Sequence, residues 1–140
     1  MIGLGPGARS YTRSLHYSTE YAVGQPGVRS IIENFNQRDS IRYARADYGV
    51  LLNLAEQKIR YVIKTLLRAD GLDYAAYAER FTEAVIDEMP RLAELIEQGL
   101  ATEIDEHLRL TEEGFAWSDT IGPWLYSEEV TARMNAYAFA

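Results

Sequence analysis

Apolar residues recur at helical spacing along this chain from residue 26 onward. Residues 1–24 carry no such stripe and are rich in Gly, Ser and Tyr, which predicts an extended segment and loops. Pro26 suits a first helical turn, and the apolar residues that follow it three and four apart predict a helix over 27–37. The polar stretch 36–40 interrupts this pattern and predicts a linker. Residues 41–50 are expected to be extended or irregular.

The clearest helix signal begins at Asn53. Asn53 can cap a helix, and Glu56 stands three residues later, as in a capping box. The apolar stripe behind them predicts a helix over 54–69, and Asp70-Gly71 supplies the stop because glycine accepts the left-handed conformation that ends many helices. Asp73 then caps a short helix, so two helices meet across a tight turn.

A third apolar stripe runs from Val85 to a stop at Gly99. Pro90 lies inside it and lacks a backbone N–H, which predicts a kink or break near Met89.

Two short apolar runs, 100–104 and 108–111, flank a polar turn and predict a β-hairpin. Thr111 opens a last helical region that Gly122-Pro123 punctuates. The order helix, helix, helix, hairpin, helix is typical of a winged helix. The chain is therefore predicted to be mainly α (α+β), with a winged-helix-like C-terminal domain.

Composition restricts the function classes. A hydrophobic content of 47% is typical of a folded domain, while the net charge of −7 disfavours nucleic acid, whose affinity comes largely from Lys and Arg on phosphates. The sequence has no cysteine, which excludes disulfides, thiolate zinc sites and iron–sulfur clusters on the usual cysteine ligands. No apolar run approaches bilayer length and no secretory signal opens the chain, so a cytoplasmic protein without a membrane contact is predicted.

The opening glycines are the first candidate site. Closely spaced glycines, as in residues 3–8, let a backbone approach a phosphate or adenosyl group without Cβ clashes. The dinucleotide fingerprint needs a preceding strand, which Met1-Ile2 cannot supply. Cofactor contact and a plain glycine turn both stay open on spacing alone.

The two histidines, His16 and His107, are far apart in sequence and form no metal-binding pair. His107 lies at the predicted hairpin turn, where a polar residue is ordinary. His16 is more notable because its neighbours include both cations and aromatic rings, although a surface loop is the favoured interpretation. These neighbours are Arg9, Tyr11, Arg13 and Tyr17.

Charged residues on two predicted helices are interpreted as solvated faces. The acidic set could suggest paired carboxylates for acid–base chemistry, but it lies opposite the apolar stripe of its helix. It comprises Glu83, Asp87, Glu88, Glu94 and Glu97. The basic set gives the 54–69 helix a cationic outer side, and it comprises Lys58, Arg60, Lys64 and Arg68.

Four separated segments resemble the C-terminal region of radical S-adenosylmethionine (SAM) proteins of the oxygen-independent coproporphyrinogen III oxidase (HemN-like) family. The opening Ile2-Gly3-Leu4-Gly5-Pro6-Gly7-Ala8-Arg9-Ser10-Tyr11 is similar to the glycine-rich strand and loop near the end of the family's barrel. The segment from Lys58-Ile59-Arg60 through Asp70-Gly71-Leu72-Asp73 resembles its helix and turn. Leu92 to Leu100 and Leu108-Arg109-Leu110-Thr111-Glu112-Glu113-Gly114 resemble the helix, hairpin and final helix.

The resemblance implies a non-catalytic C-terminal domain of a radical SAM oxidoreductase, inactive alone, that covers or flanks the parent's active site. The parent would bind SAM and a 4Fe-4S cluster, whose Cys-x-x-x-Cys-x-x-Cys ligands this sequence lacks. Gly5, Gly7 and Ala8 are the implied contacts to the cofactor in the parent. Residues 1–48 would comprise the strand, loop and linker helix at the end of the barrel, and residues 49–140 the winged-helix-like domain.

The implied partner is the upstream barrel of the same parent. Without it, residues 2–8 are expected to be disordered or to pair between copies, which would give a homo-oligomer. The alternative is a free-standing winged-helix module that binds protein or nucleic acid.

Overall fold

The computed structural model describes residues 1–19, 25–46 and 48–138. The chain divides into two compact units, Met1–Gln57 and Lys58–Ala140. Together they give a mixed α+β fold that is mainly helical, with eight α-helices and two small antiparallel sheets in the described ranges. Within those ranges, no helix combines the length and the apolar character needed to cross a membrane.

The first unit contains a three-stranded antiparallel sheet in the order β1-β2-β3. Its strands are β1 (Arg9–Tyr11), β2 (Leu15–Ser18) and β3 (Tyr48–Leu51). Helix α1 (Gln25–Asn36) and a 3₁₀ helix (Ser40–Ala44) lie between β2 and β3 in sequence. The sequence did not predict this sheet, because β1 and β2 show no alternation of apolar and polar residues and β3 pairs with β2 across about 30 residues of chain.

Strand β1 begins at Arg9, and residues 2–8 form no strand, which the resemblance implied only with the barrel present. Met1 instead runs beside β1: the Tyr11 amide donates to the Met1 carbonyl oxygen at 2.8 Å, and the Met1 amino group donates back to the Tyr11 carbonyl at 3.0 Å. Residues 20–24, part of the predicted loop segment, lie outside the described residues. Pairing between two copies stays a prediction.

The second unit contains most of the helices and a sheet in the order β4-β6-β5. Helix α2 (Leu54–Leu66) crosses the boundary between the units, and the sheet strands are β4 (Leu72–Asp73), β5 (Ala101–Ile104) and β6 (His107–Leu110). The other helices are α3 (Tyr74–Phe81), α4 (Val85–Glu88), α5 (Arg91–Glu97), α6 (Glu112–Ala116), α7 (Ser118–Trp124) and α8 (Glu128–Ala138).

The predicted caps form. The Glu56 amide donates to Asn53 Oδ1 at 2.9 Å, and the Ala76 amide donates to Asp73 Oδ1 at 3.0 Å. Thr111 caps α6 in the same way, accepting from the Gly114 amide at 3.1 Å. Each side-chain oxygen satisfies an amide that the first helical turn leaves without a partner.

The predicted interruption near Met89 is a full break between α4 and α5, and the predicted hairpin is β5–β6. Three features were not predicted. The two-residue strand β4 adds to β6, helix α8 follows the last predicted helical region, and that region divides at Trp117 rather than at Gly122-Pro123, which lie inside α7. The α2 helix also ends three residues before its predicted limit.

The hydrophobic core belongs to the second unit. Among the residues that the structure describes, every buried apolar side chain lies between Val62 and Leu125. The set is Val62, Leu66, Leu72, Tyr77, Phe81, Val85, Leu92, Leu95, Ala101, Leu108, Leu110, Ile121 and Leu125. Helices α2 to α5, the hairpin and α7 all contribute, so this unit closes its own core.

The described part of the first unit has no buried apolar side chain of its own. Many of its large apolar residues are instead exposed, on the N-terminal segment, α1, the 3₁₀ helix, β3 and the start of α2. They are Met1, Ile2, Leu4, Val28, Ile32, Ile41, Tyr43, Tyr48, Val50, Leu51 and Leu54. Where such residues are neighbours on the surface, they mark interaction sites in folded proteins.

Candidate functional site

The glycine-rich segment forms a turn with two residues in the left-handed region. Gly5 has φ +104° and Gly7 has φ +71°, which side chains with a Cβ adopt only at a cost. The Ala8 amide donates to the Gly5 carbonyl at 3.2 Å and closes the turn. The predicted site residues Gly5, Gly7 and Ala8 therefore belong to one turn whose shape depends on glycine.

Close packing holds this turn against the sheet. A Cβ on Gly3 would come within 2.6 Å of the Arg9 carbonyl oxygen, so only glycine fits there. The Gly3 amide donates to Oγ of Ser10, a buried side chain, and the Gly7 amide donates to Thr19 Oγ1 at 3.1 Å. Strands β1 and β2 thus position the turn from both sides.

These contacts limit the chemistry of the turn. A phosphate cradle needs several backbone N–H groups aimed at one anion, whereas the Gly3, Gly7 and Ala8 amides all donate within the chain. A Cβ on Gly5 would meet no atom within 4 Å, so this part of the turn is open. The geometry suits packing against a neutral group better than binding a phosphate.

The residues predicted to surround His16 lie in different parts of the first sheet: on the same face, on the opposite face and in the β1–β2 turn. In an antiparallel sheet, directly paired residues point to the same face. Tyr11 pairs with His16, and their rings stack with centroids 4.3 Å apart. Tyr17 alternates to the opposite face, and Arg13 lies in the β1–β2 turn. The surface-loop interpretation of His16 is wrong, because the residue is part of strand β2.

The second unit contains a cluster of ionisable groups built around Lys58, which is only 8% exposed. The Lys58 ammonium donates to Glu83 Oε2 at 2.7 Å and to Glu88 Oε1. Tyr77 donates its hydroxyl to Glu88 Oε2 at 2.7 Å. The cluster connects α2, α3, the loop after α3 and α4.

The surroundings set the protonation of each group. Burial raises the pKa of Glu88, but its hydrogen bonds to Glu83, Lys58 and Tyr77 outweigh burial and lower the pKa to about 2. Hydrogen bonds to Glu83 and Glu88 raise the pKa of Lys58. Burial, with the hydrogen bond to Glu88, raises the pKa of Tyr77. At neutral pH Lys58 is therefore an ammonium, Glu88 a carboxylate and Tyr77 a neutral phenol.

A general acid or base works best when its pKa lies near the operating pH. The pKa values of Lys58, Tyr77 and Glu88 all move away from neutrality, so these three groups serve structure rather than proton transfer. The predictions that Lys58 faces solvent and that Glu88 lies on a solvated face are wrong. Asp87, Glu94 and Glu97 are exposed as predicted.

The other residues predicted as candidates do not form a common site. His107 opens strand β6, where its Nδ1 lies 2.8 Å from the Asp105 carbonyl oxygen and its Nε2 lies 3.8 Å from Asp73 Oδ2. Within residues 1–19, 25–46 and 48–138, no group of three His, Asp or Glu side chains could hold a metal ion.

A depression of about 330 Å³ lies at the C-terminal end of α1. Its lining is polar and comprises Asn34, Gln37, Arg38, Asp39 and Arg42. Small-molecule sites are usually lined by apolar and aromatic side chains, so this depression does not have the character of such a site.

Comparison with known families gives a match to most of the second unit. Residues 52–117 match the family model of the HemN C-terminal domain. The match contains α2 to α5, the hairpin and α6, and it confirms the family resemblance predicted from the sequence. It does not reach the glycine turn, so the role of Gly5, Gly7 and Ala8 stays a prediction. Neither the curated proteins nor the solved structures gave a match.

Proposed function

Since residues 52–117 are the C-terminal domain of a HemN-like radical SAM protein, we propose that this chain is a non-catalytic part of such an oxidoreductase. Its second unit, with helices, hairpin and final helix in winged-helix order, covers or flanks the active site of the parent. The parent would be a relative of the oxygen-independent coproporphyrinogen III oxidases.

The observation that carries this proposal is the contrast between the two units. The second unit has a core of buried apolar side chains of its own, whereas the described part of the first unit has no buried apolar side chain and leaves many of its large apolar residues exposed. Ile2, Leu4 and Leu51 are 74%, 91% and 77% exposed. Residues of this kind are expected to be covered in the functional molecule, and the barrel of the parent is the partner that the family implies.

The two implied cofactors fit this chain differently. An iron–sulfur cluster requires thiolate ligands, and the sequence has no cysteine, so the residues of this chain do not fit a cluster. The turn at Gly5, Gly7 and Ala8 has an open side at Gly5 and fits a contact to the adenosyl part of SAM. In the parent, this turn would pack against SAM while residues outside this chain hold the cluster.

Anaerobic reconstitution tests the catalytic part of the proposal. The isolated chain, treated with iron and sulfide and then given SAM and a reductant, is expected to show no cluster absorption and to release no 5′-deoxyadenosine. Formation of a cluster with cleavage of SAM would overturn the proposal.

Substitution in the full-length parent tests the docking part. Leu51→Glu places a charge on the proposed barrel contact and is expected to lower the thermal stability of the parent. Met134→Glu is the matched control because Met134 is 53% exposed in α8 of the second unit. Equal effects of the two substitutions, or none from Leu51→Glu, would contradict docking. Circular dichroism of both variants in the isolated chain checks that each one folds.

A further inference from the structure

The second sheet has an outer face that does not contribute to the core. Leu72, Leu108 and Leu110 point inward and are buried, so the residues that alternate with them point the other way. Directly paired residues share a face, which brings the side chains of three strands together. We call this surface the Arg109 face: Asp73, Thr102, Ile104, His107 and Arg109.

Arg109 lies on the middle strand of this sheet, β6, and is half-buried. Its aliphatic stem covers Gly71, because a Cβ on that glycine would come within 2.7 Å of Arg109 Cγ. Gly71 is buried and has φ +77°, so the stem packs directly on its backbone. Packing therefore gives the Arg109 side chain a defined place on the sheet, unlike an arginine that extends freely into solvent.

The Arg109 guanidinium has no counter-ion among the described residues. Within the described part of the second unit, Arg109 is the one lysine or arginine whose side chain has no hydrogen bond, ion pair or ring contact. Every other such cation there has a partner, which is a carboxylate for Lys58, Arg68 and Arg133 and an aromatic ring for Arg80 and Arg91. In a chain with a net charge of −7, an arginine without a carboxylate is unexpected.

Burial makes the missing partner costly. Arg109 Nε is buried and has no hydrogen bond. A buried donor without an acceptor costs free energy, and the cost is larger for a charged group. The terminal nitrogens Nη1 and Nη2 also have no partner, but they are not buried, so an acceptor can reach them. A carboxylate that accepts two parallel N–H···O bonds from these nitrogens would offset the cost.

The strength of one ion pair decides which kind of partner fits this face. An ion pair in contact with water contributes at most about fivefold to affinity, which is too little to hold a small carboxylate. A protein surface adds further contacts and excludes water from the ion pair, and arginine is enriched among the residues that dominate such interfaces. Ile104, which is 43% exposed, and Thr102 supply apolar and polar neighbours of the kind that a protein surface covers.

We propose that the Arg109 face docks to the barrel of the parent through an ion pair between Arg109 and an aspartate or glutamate of that barrel. This contact rests on the proposed function, because the barrel is the partner that the family implies. Arg109 is the available cation of the face, since His107 already lies beside the Asp105 carbonyl and Asp73. The contact is separate from the exposed apolar residues of the first unit, Leu51 among them.

Modification with phenylglyoxal, a reagent selective for arginine, tests the contact without a substitution. The reagent attacks the terminal guanidinium nitrogens, so Arg109 is expected to react in the 140-residue chain and to be protected in the full-length parent. Arg133 is the matched control, because it is exposed in α8 and should react at the same rate in both proteins. Mass spectrometry of the digested proteins measures the rate at each arginine.

Arg109→Met removes the charge and keeps an unbranched stem over Gly71. In the 140-residue chain it is expected to leave the melting temperature unchanged or to raise it, because it removes a buried nitrogen without a partner. In the parent it should lower the melting temperature by about 2–4 °C, since the barrel carboxylate loses its partner. Arg133→Met removes an exposed ion pair with Glu129 and should be neutral in both proteins.

Two outcomes would overturn the Arg109 contact. One is equal reactivity of Arg109 in the chain and in the parent, a result that does not depend on whether a variant folds. The other is an equal change in melting temperature from Arg109→Met in both proteins, which would mean a role within the second unit alone. If Leu51→Glu still destabilises the parent in either case, docking of the first unit stands and only the Arg109 contact is rejected. No effect at either position would reject docking as a whole.

Discussion

Gly114 lies in α6 against the carbonyl oxygen of Leu100. A Cβ at this position would come within 1.9 Å of that oxygen, a backbone atom that cannot rotate away. The contact matters because Leu100 and Thr111 join the hairpin to α6: the Thr111 amide donates to the Leu100 carbonyl at 3.0 Å. Close approach of these two backbones therefore requires glycine.

We expect Gly114→Ala to destabilise the chain by about 2–3 kcal/mol, the upper part of the range for overpacking a filled site. Gly122→Ala is the matched control, since Gly122 is also buried in a helix but a Cβ there would meet nothing closer than Leu67 Cδ1 at 3.6 Å. Alanine favours helix, but here it would precede Pro123, whose ring disfavours helical geometry in a residue with a Cβ, so this control should change stability by no more than about 1 kcal/mol. Urea unfolding of both variants measures the difference, and equal effects would contradict the steric argument.

The lowered pKa of Glu88 predicts how the free energy of unfolding depends on pH. Its pKa is about 2 in the folded chain against an ordinary 4.5, so the folded state binds a proton less readily than the unfolded state. Its contribution is complete above the ordinary pKa and is lost as the pH falls from 4.5 towards 2. Acid should therefore weaken the fold within this window.

We expect Glu88→Gln to lower stability at neutral pH, because Lys58 loses a charged partner, and to flatten the dependence of stability on pH within that window. Glu94→Gln, at an exposed position of α5, should keep both the stability and the slope of the unmodified chain. Thermal unfolding followed by circular dichroism across the acid range gives both quantities. An unchanged slope in Glu88→Gln would show that another group controls acid stability.

Lys58 also marks the limit of residue-scale prediction. Its charge and three other cations of the predicted 54–69 helix led to the prediction of solvent exposure, although Lys58 stands four residues before Val62 and so beside the apolar stripe. Its burial depends on Glu83 and Glu88, which lie 25 and 30 residues away in sequence. A helical pattern contains no information about partners at that distance.

At the scale of elements, the β5–β6 hairpin is held by a turn in which two residues with side chains have positive φ. Asp105 has φ +50° and Glu106 has φ +60°, the conformation that favours Asn-Gly or Asp-Gly in two-residue hairpin turns. The Tyr74 amide donates to the Glu106 carbonyl at 3.1 Å, so the turn also positions the start of α3. The sequence predicts the hairpin, but with a residue that strains its turn.

Glu106→Gly is expected to stabilise the chain by about 0.5–1 kcal/mol, because glycine adopts positive φ without the Cβ penalty and this gain exceeds its entropic cost. Glu106→Ala removes the same carboxylate but keeps the Cβ, so it should give no such gain. Chemical denaturation of the two variants separates the backbone effect from the charge effect. A gain of equal size in Glu106→Ala would assign it to charge.

Elements with a strong local signal were predicted well. The caps at Asn53, Asp73 and Thr111, the break at Pro90 and the hairpin all form, because each depends on residues within a few positions of one another. Strands β1 to β4 were missed because they lack such a signal. Strands β3 and β4 exist through pairing with distant segments, while β1 and β2 pair locally but show no alternation of apolar and polar residues.

At the scale of the whole molecule, the two units should differ in local stability. Buried apolar side chains, where described, belong to the second unit, and local opening is easiest where such contacts are few. We expect native-state amide exchange to be slow in α2, α3 and β6 and much faster in β1 to β3 and α1. Similar protection in both units would contradict this, and addition of a barrel partner should slow exchange in the first unit.

Duplex DNA is expected not to bind, even at low salt. The net charge is −7, and the one cation of α3, Arg80, lies over the rings of Tyr61 and Phe81 at 5.0 and 5.2 Å. Fluorescence anisotropy with a labelled duplex measures this. Salt-dependent submicromolar binding would instead favour the free-standing nucleic-acid-binding module.

The sequence alone determined what depends on local patterns and on composition: the helices and their caps, the hairpin, the absence of thiolate chemistry and the family of residues 52–117. Tertiary structure decided what depends on pairing across long sequence separations. It buried Lys58 against two carboxylates, folded Met1 beside β1, and brought Arg9, Tyr11 and His16 to one face of a sheet. The glycine turn depends on sequence and tertiary structure alike. Its glycines are evident in the sequence. Only the folded backbone shows that the Gly3, Gly7 and Ala8 amides donate within the chain and that the turn is open at Gly5.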